Sequence, residues 1–270
     1  MLDIARVPKS SYYKWKGNKN RQRKEEKEKE LVEIIKTIYE ETKGTLGVIR
    51  MTEELRRNKV IVNHKKVNRI MRENGYLSVV KRKKTYTKPG KPHPKHNVLK
   101  RNFKTSCPYD KMATDVTEVK ILGMKMYISP IKDLHTNMIE SVEIGKHANL
   151  KMAVKMFEKI KDSSIKEGTI LHSDQGAIYN NLKYQKLLEK HNFIQSMSRK
   201  GTPIDNSPME SFFSTLKSEL IYNPLVKINS YEELEEKIKE YIEFYNTKRI
   251  QKKLGYLTPS EFKEKCLIAQ

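Results

Sequence analysis

An α/β protein in two parts is what this sequence predicts: a small all-helical, helix-turn-helix-like module followed by a domain built on a mixed sheet. Three observations carry the prediction. Apolar residues recur at helical spacing from about Lys29 to Gly75, then alternate or cluster at strand length beyond residue 105. Between these regions, residues 81–104 hold ten Lys or Arg, no acid, and Pro89, Pro92 and Pro94. The charge divides at the same place, with 30 Lys+Arg against 11 Asp+Glu in residues 1–104 and 25 against 22 in the remainder. A chain of 270 residues has room for one full core and one smaller module, since single domains usually run to about 100–200 residues.

The first segment, residues 1–24, interleaves aromatics with lysines in Ser10-Ser11-Tyr12-Tyr13-Lys14-Trp15-Lys16 and reads as a basic arm or a frayed terminus. From about Lys29, the stripe Leu31, Ile34, Ile35 and Ile38 predicts a helix that closes before Gly44. Leu46, Ile49 and Leu55 mark a second helix. Val60-Ile61-Val62 follows, and Asn63 is placed to cap a third helix running to Gly75. In that third helix Val67, Ile70 and Met71 form the buried stripe, while Lys65, Lys66, Arg69 and Arg72 lie elsewhere around the cylinder, available to phosphates or base edges. Two short helices joined by a turn, the second strongly basic, outline a helix-turn-helix over residues 25–80. A helical pair with a solvated basic face has the same outline. The linker 81–104, which opens on Lys81, Arg82, Lys83 and Lys84, is disfavoured as helix by its prolines and extended by its own charge, so it could follow a nucleic-acid backbone.

Beyond it, residues 105–225 read as the sheet domain and 226–270 as a helical extension. Lys111 to Ile121 alternates, with Ala113, Asp115, Thr117, Val119 and Ile121 on one face; Gly123 allows a turn into Met124 to Ile131, and a third strand falls near Ile139 to Ile144. A helix at Leu150 to Ile160, a strand at Thr169 to His172, a helix through Leu187 and Leu188, and a strand at Phe193 to Met197 complete a mixed sheet.

Composition narrows the partners. A formal charge of +22, concentrated in the first 104 residues, attracts a polyanion and names nucleic acid as the partner class; a general RNA binder would share it. Cys107 and Cys266 are far apart, with no CxxC pair and no His cluster at metal-ligand spacing, so neither a disulfide framework nor a zinc site is suggested and a reducing cytoplasm fits best. No leader-like start and no apolar run of membrane-spanning length appear, so no membrane partner is expected.

Three acids stand out by placement. Asp115 lies in an apolar strand pattern, where an acid requires a partner or a metal. Asp174 closes a strand at Ser173-Asp174-Gln175-Gly176, and Glu210 opens a helix whose Met209, Phe212, Phe213, Leu216 and Leu220 form an uninterrupted buried stripe. Strand ends and a helix beside them can bring three carboxylates to one point, and hard divalent ions take such oxygen ligands. Lys217, seven residues after Glu210, points within roughly 20° of the same direction on a regular helix, two turns on. Each acid also has a plainer reading. Ser207-Pro208-Met209-Glu210 fits a capping box in which Glu210 reaches back to the Ser207 amide, Asp174 near Gly176 fits turn chemistry, and His172 fits a strand-end histidine as well as a metal neighbour.

Taken together, ATDVTEV around Asp115, LHSDQGAIY around Asp174 and DNSPMESFFSTLKSEL around Glu210 resemble the catalytic core of retroviral-integrase-type transposases, specifically the second-frame (OrfB) product of bacterial insertion sequences. Thirty-five residues separate Asp174 from Glu210, the family's DD(35)E spacing, and Lys217 falls at its customary basic position. SYYKWK and the helical block resemble the family's N-terminal region, and YIEFYNTKRIQKKLGYLTPSEF its C-terminal signature. The resemblance implies a ribonuclease-H-like fold, with Asp115, Asp174 and Glu210 as catalytic ligands of two Mg²⁺ ions, Mn²⁺ substituting. It implies cleavage and strand transfer at element ends, with double-stranded DNA as partner, a homo-oligomer, and the upstream-frame protein as fusion or partner. Asp133-Leu134-His135-Thr136-Asn137 departs from the D-x-x-S-R of many relatives in lacking the arginine, and no sustained heptad is present.

Overall fold

The structure is a computed structural model, which describes residues 8–80, 97–121, 123–160, 165–199 and 203–268. The chain divides into two compact units, Met1–Val80 and Lys81–Gln270.

The first unit holds three helices: α1 (Lys9–Glu41), α2 (Val48–Arg57) and α3 (His64–Glu73). Helix α1 begins twenty residues earlier than the apolar stripe predicts, taking in most of the segment read as an arm. Its first half is exposed and rich in helix-forming Lys, Arg and Glu, with Arg21 and Glu25 paired one turn apart at 2.9 Å. Propensity extends a helix that packing begins. The packed part is the predicted one, with Leu31, Ile35 and Ile38 buried against Leu46, Met51, Leu55, Val67, Ile70 and Met71. Ile49, expected inside, is 51% exposed. The left-handed Gly44 (φ 66°) ends α1, its amide donating to the Tyr39 carbonyl at 2.8 Å. Asn63 caps α3 as expected, its side chain accepting from the Lys65 amide.

In the second unit a six-stranded mixed sheet is formed by β1 (Lys111–Thr114), β2 (Thr117–Ile121), β3 (Met124–Asp133), β4 (Ile139–Gly145), β5 (Thr169–Ser173) and β6 (Phe193–Met197). Strands β1 and β2 both pair antiparallel with β3, in a single register from Met112↔Asp133 to Ile121↔Met124, and β4 pairs antiparallel with β3. Strands β5 and β6 join parallel beyond β1. Helices α4 (Leu150–Glu158) and α5 (Leu182–Lys190) cover one face, packing Met156, Phe157, Tyr184 and Leu188 on Met112, Ile131 and Leu171. Helices α6 (Ser207–Leu216) and α7 (Tyr231–Thr247) cover the other, packing Met209, Phe212, Leu216, Leu234 and Ile238 on Ala113, Val119, Met126 and Ile128. Alternation along the strands assigns Met112 to one core and Ala113 to the other. Helix α8 (Pro259–Ile268) follows.

The expected fold class is the one observed. One strand differs: the predicted run Lys111 to Ile121 is broken at Asp115 and Val116. The register places Pro130, which has no amide hydrogen, opposite Asp115, and the Asp115 carboxylate takes the Val116 amide itself at 2.8 Å. No helix among the described residues is long and apolar enough to cross a membrane.

Candidate active site

Parallel pairing of β1 and β5 matches Ala113 with His172. The same offset carried two residues on sets Asp115 beside Asp174, both just past the carboxyl ends of neighbouring strands, where open α/β sheets place their ligand sites. Asp174 folds back to accept the Gly176 amide at 2.8 Å. A methyl group at position 176 would stand 2.9 Å from Asp174 Oδ1, so glycine there keeps that carboxylate in place.

Glu210 comes from the opposite side, on the first turn of α6. That helix is held to β1 by the residue before it: Asn206 Nδ2 donates to the Thr114 carbonyl at 3.2 Å, one residue from Asp115. The capping-box reading of Glu210 does not hold. Helix α6 begins at Ser207 with Asn206 as N-cap, Pro208 in its first turn and no side-chain cap, and Glu210 is exposed at the rim. Turn chemistry does describe Asp174, without consuming its second oxygen.

The three carboxylates and Lys217 interact. Burial, then the charge of Asp174, and more weakly that of Glu210, push Asp115 from an ordinary 3.8 up to about 7, opposed by the Val116 amide and the Lys217 ammonium. Desolvation raises Glu210 and lowers Lys217, the latter held up in part by Asp115 and Glu118. Lys217 therefore lies close enough to Asp115 for the two charges to act on each other. Past it the helix widens into a π-turn over Lys217–Ile221, closed by the Tyr222 amide on the Lys217 carbonyl at 2.8 Å.

Carboxylate oxygens are the donors a hard divalent ion takes. Among the described residues, no group of three His, Cys, Asp or Glu already stands at ion-holding distances. The donor chemistry fits a divalent ion, and holding one with all three acids would require them to draw closer together. His172 is not part of this set. Fully buried, it is bonded through Nδ1 to Ser196 at 2.8 Å and through Nε2 to Ser198 at 3.0 Å, and burial lowers its pKa to about 4. The strand-end histidine reading is the one the geometry supports.

Two buried ionic nodes brace α6, and neither was singled out in the sequence. Asp205, fully buried, accepts from Arg101 at 2.6 Å and from Arg199 at 2.8 Å, and the two guanidiniums hold it well below the usual carboxylate range. Glu219, in the π-turn, accepts two bonds of 2.8 Å from Arg249 and one of 3.0 Å from the Tyr241 hydroxyl. For Glu219 the available signal was an acid in the apolar phase of the helix, three residues past Leu216.

Of the basic residues assigned to nucleic acid, Lys66 and Arg69 pair with Glu28 of α1 at 3.2 and 2.8 Å, and Arg69 also with Glu73. Lys65 and Arg72 are exposed. Lys81, Arg82, Lys83 and Lys84 lie outside the described residues.

Residues 25–84 match the family model described as an HTH-like domain, and residues 105–203 and 210–267 match two models of the integrase core domain. The chain is 38% identical to the putative transposase InsK for insertion sequence element IS150 of Escherichia coli (strain K12), over 97% of this chain and 92% of that protein. It is 39% identical to an uncharacterized transposase-like protein of Haemophilus influenzae, over 80% of this chain and all of that one. Among solved structures, the HTLV-2 integrase catalytic core domain in complex with magnesium (dimeric form) is similar at a TM-score of 0.47 and 15% identity, over 58% of this chain and 97% of that chain. An HTH-like unit, a mixed-sheet integrase core and this level of identity along nearly the whole chain converge: the protein belongs to the insertion-sequence transposases and acts in DNA transposition.

Proposed function

We propose that the chain is a DDE-type polynucleotidyl transferase in which Asp115, Asp174 and Glu210 are the catalytic carboxylates. The observation that carries the reading is the convergence of three acids from β1, β5 and α6 at the carboxyl edge of the sheet, where Asp115 feels both of the others. Mutual repulsion of this kind is poorly tolerated unless a cation relieves it, and a site without one would also repel DNA. Divalent ions, two Mg²⁺ or Mn²⁺ as the family resemblance implies, would supply activation of the attacking oxygen and stabilisation of the leaving one.

The chain's own residues do the rest. Asp115 and Asp174 form the fixed half of the ligand set, each anchored by a backbone amide through one oxygen. Glu210, unbonded to the helix start, closes the set from the rim. Lys217 holds a non-bridging phosphate oxygen beside the carboxylates. In cleavage, a water oxygen bonds to phosphorus as the bond to the 3′ oxygen breaks, freeing a 3′-OH and a 5′-phosphate. In strand transfer that 3′-OH bonds to a target phosphorus and a target 3′ oxygen leaves.

Residues 25–80 serve as the DNA-binding domain, with Lys65 and Arg72 meeting DNA directly and Lys66 and Arg69 doing so on release from Glu28. Residues 1–24 precede it, the basic linker 81–104 with Lys81, Arg82, Lys83 and Lys84 follows the backbone, residues 105–225 form the catalytic core and 226–270 its extension. Paired element ends call for a homo-oligomer, with the upstream-frame protein as fusion or partner. The test is nicking and strand joining on a labelled duplex carrying the element end, in Mg²⁺ or Mn²⁺. Joined product with wild type and none with Glu210→Gln is expected. Equal activity in the variant would remove Glu210 from catalysis, and inactivity of both proteins, even fused to the upstream frame, would leave a DNA-binding protein only.

A further inference from the structure

The first half of α1 is helix that the core of its unit does not call for. Among the described side chains of α1 none before Leu31 is buried, so roughly 30 Å of helix, from Lys9 on, runs beyond the packed stripe. Residues 8–24 hold seven Lys or Arg and no acid, with the motif Tyr12-Tyr13-Lys14-Trp15-Lys16 inside them. Tyr13 is 63% exposed and Trp15 57%. Tyr12 gathers these side chains into one cluster: its ring lies 5.5 Å from that of Tyr13, 6.1 Å from that of Trp15 and 5.9 Å from the Lys16 ammonium. A lone exposed aromatic is ordinary, whereas several clustered at one end of a helix mark an interaction surface. Further along α1, Glu28 meets Lys66 and Arg69 of α3 at 3.2 and 2.8 Å, so the helix that carries the cluster also borders the basic helix of its unit.

The pattern around the helix selects the partner. At about 100° per residue, Lys16 falls between Tyr12 and Tyr13 around the cylinder, and Lys14 between Tyr13 and Trp15. A helix lying on a membrane separates its cations from its apolar face, and a helix docking on another helix presents a continuous apolar stripe. Aromatic faces interleaved with cations, without acids, suit a strand in which phosphates and bases alternate. We propose that the first half of α1 is a second DNA contact, which stacks an unpaired base on Trp15 while the surrounding lysines and arginines neutralise phosphates. Bases within a duplex are already stacked on one another, so this contact takes single-stranded DNA. Strand cleavage frees ends whose bases can leave the stack, so such bases arise in the proposed reaction itself. The assignment uses no residue of α3 and stands apart from the duplex contacts proposed for that helix.

Trp15 is the only tryptophan of the chain, so its fluorescence reports the contact directly. The experiment titrates the intact protein at low salt with oligothymidylate and, separately, with a relaxed closed-circular duplex, reading Trp15 emission. Anisotropy of labelled oligothymidylate gives the affinities of wild type, Trp15→Ala and Trp15→Phe. Oligothymidylate should quench Trp15 strongly, and the circle, at equal nucleotide concentration, weakly. Trp15→Ala should weaken oligothymidylate binding ~5–150-fold, the loss of one stacked base, with Trp15→Phe retaining most of the affinity. Its melting temperature should stay at the wild-type value, because Trp15 is exposed and alanine favours helix. Wild-type affinity in Trp15→Ala overturns the proposal, as does a loss that comes with a lower melting temperature and is not restored in Trp15→Phe. Equal quenching by the circle overturns it in favour of a contact with phosphates alone. A blue shift with anionic phospholipid vesicles and no response to oligothymidylate overturns it in favour of a membrane surface, and a blue shift that grows with protein concentration and ignores oligothymidylate in favour of a second copy of the chain.

Discussion

Asp115→Asn should stabilise the metal-free protein while abolishing its activity. The folded state raises the Asp115 pKa from 3.8 to about 7, through burial and the charges of Asp174 and Glu210, so it binds that proton more tightly than the unfolded chain does. Between those two values, rising pH therefore destabilises the wild type, and above pH 7 the full penalty is present. The gap corresponds to about 4 kcal/mol at ~1.36 kcal/mol per pH unit. Asp115 is half-buried, and solvent screening brings the observable gain to roughly 1–3 kcal/mol. Asparagine keeps the oxygen that accepts the Val116 amide and removes the charge. For a unit of this size each kcal/mol shifts the melting temperature by ~2–4 °C. Calorimetry in EDTA should show the variant several degrees above wild type at pH 8 and level with it at about pH 2.5, more than one unit below the unfolded value of 3.8, where Asp115 is protonated in both folded and unfolded chains. Added Mg²⁺ should narrow the difference at pH 8, since only the wild type gains from binding. A variant no more stable than wild type at pH 8, or a gain that persists at about pH 2.5, would show that ionised Asp115 does not destabilise the fold.

Two further outcomes follow from the ionic geometry. Arg249→Met strands Glu219, which is 2% exposed, and should cost ~3–5 kcal/mol by urea unfolding, with much of the loss recovered when Glu219→Gln is added; a loss below 1 kcal/mol would mean that the π-turn carries its carboxylate elsewhere. Lys65→Gln and Arg72→Gln should each lower the salt slope of duplex binding by ~0.9 if each neutralises one phosphate, with Arg69→Gln lowering it less because Glu28 competes; slopes unchanged from wild type in all three variants would place the DNA off this face of α3.

Local chemistry was legible where local chemistry decides. Asn63 caps α3 because its side chain reaches the Lys65 amide, and β6 runs from Phe193 to Met197 because burial and strand length agree there. The packed half of α1 was readable from Leu31, Ile35 and Ile38, whereas its first half, held by propensity and charge pairing, leaves no apolar stripe to read. The break at Asp115 depends on Pro130, fifteen residues on in another strand, which periodicity along one strand cannot reveal. The three acids could be singled out by placement, but their convergence depends on the β1–β5 register and on where α6 begins. Glu210 was the instructive case. A capping box and a rim carboxylate share one sequence, and only the start of α6 at Ser207 separates them.

The site and its support have opposite electrostatic character, and the opposition is economical. At the edge of the sheet, three acids face one another with one ammonium among them, a cluster that weakens the metal-free fold. Behind each end of α6, a carboxylate meets guanidinium: Asp205 with Arg101 and Arg199 before the helix, Glu219 with Arg249 after it. The first node sits one residue from Asn206, which ties the helix start to Thr114, and the second sits two residues from Lys217. Fixing both ends of α6 limits how far Glu210 can move relative to Asp115. The integrase-core match over residues 210–267 acquires a physical reading from this arrangement: the C-terminal segment supplies Arg249, which pairs with Glu219 and so fixes the far end of the helix that carries Glu210.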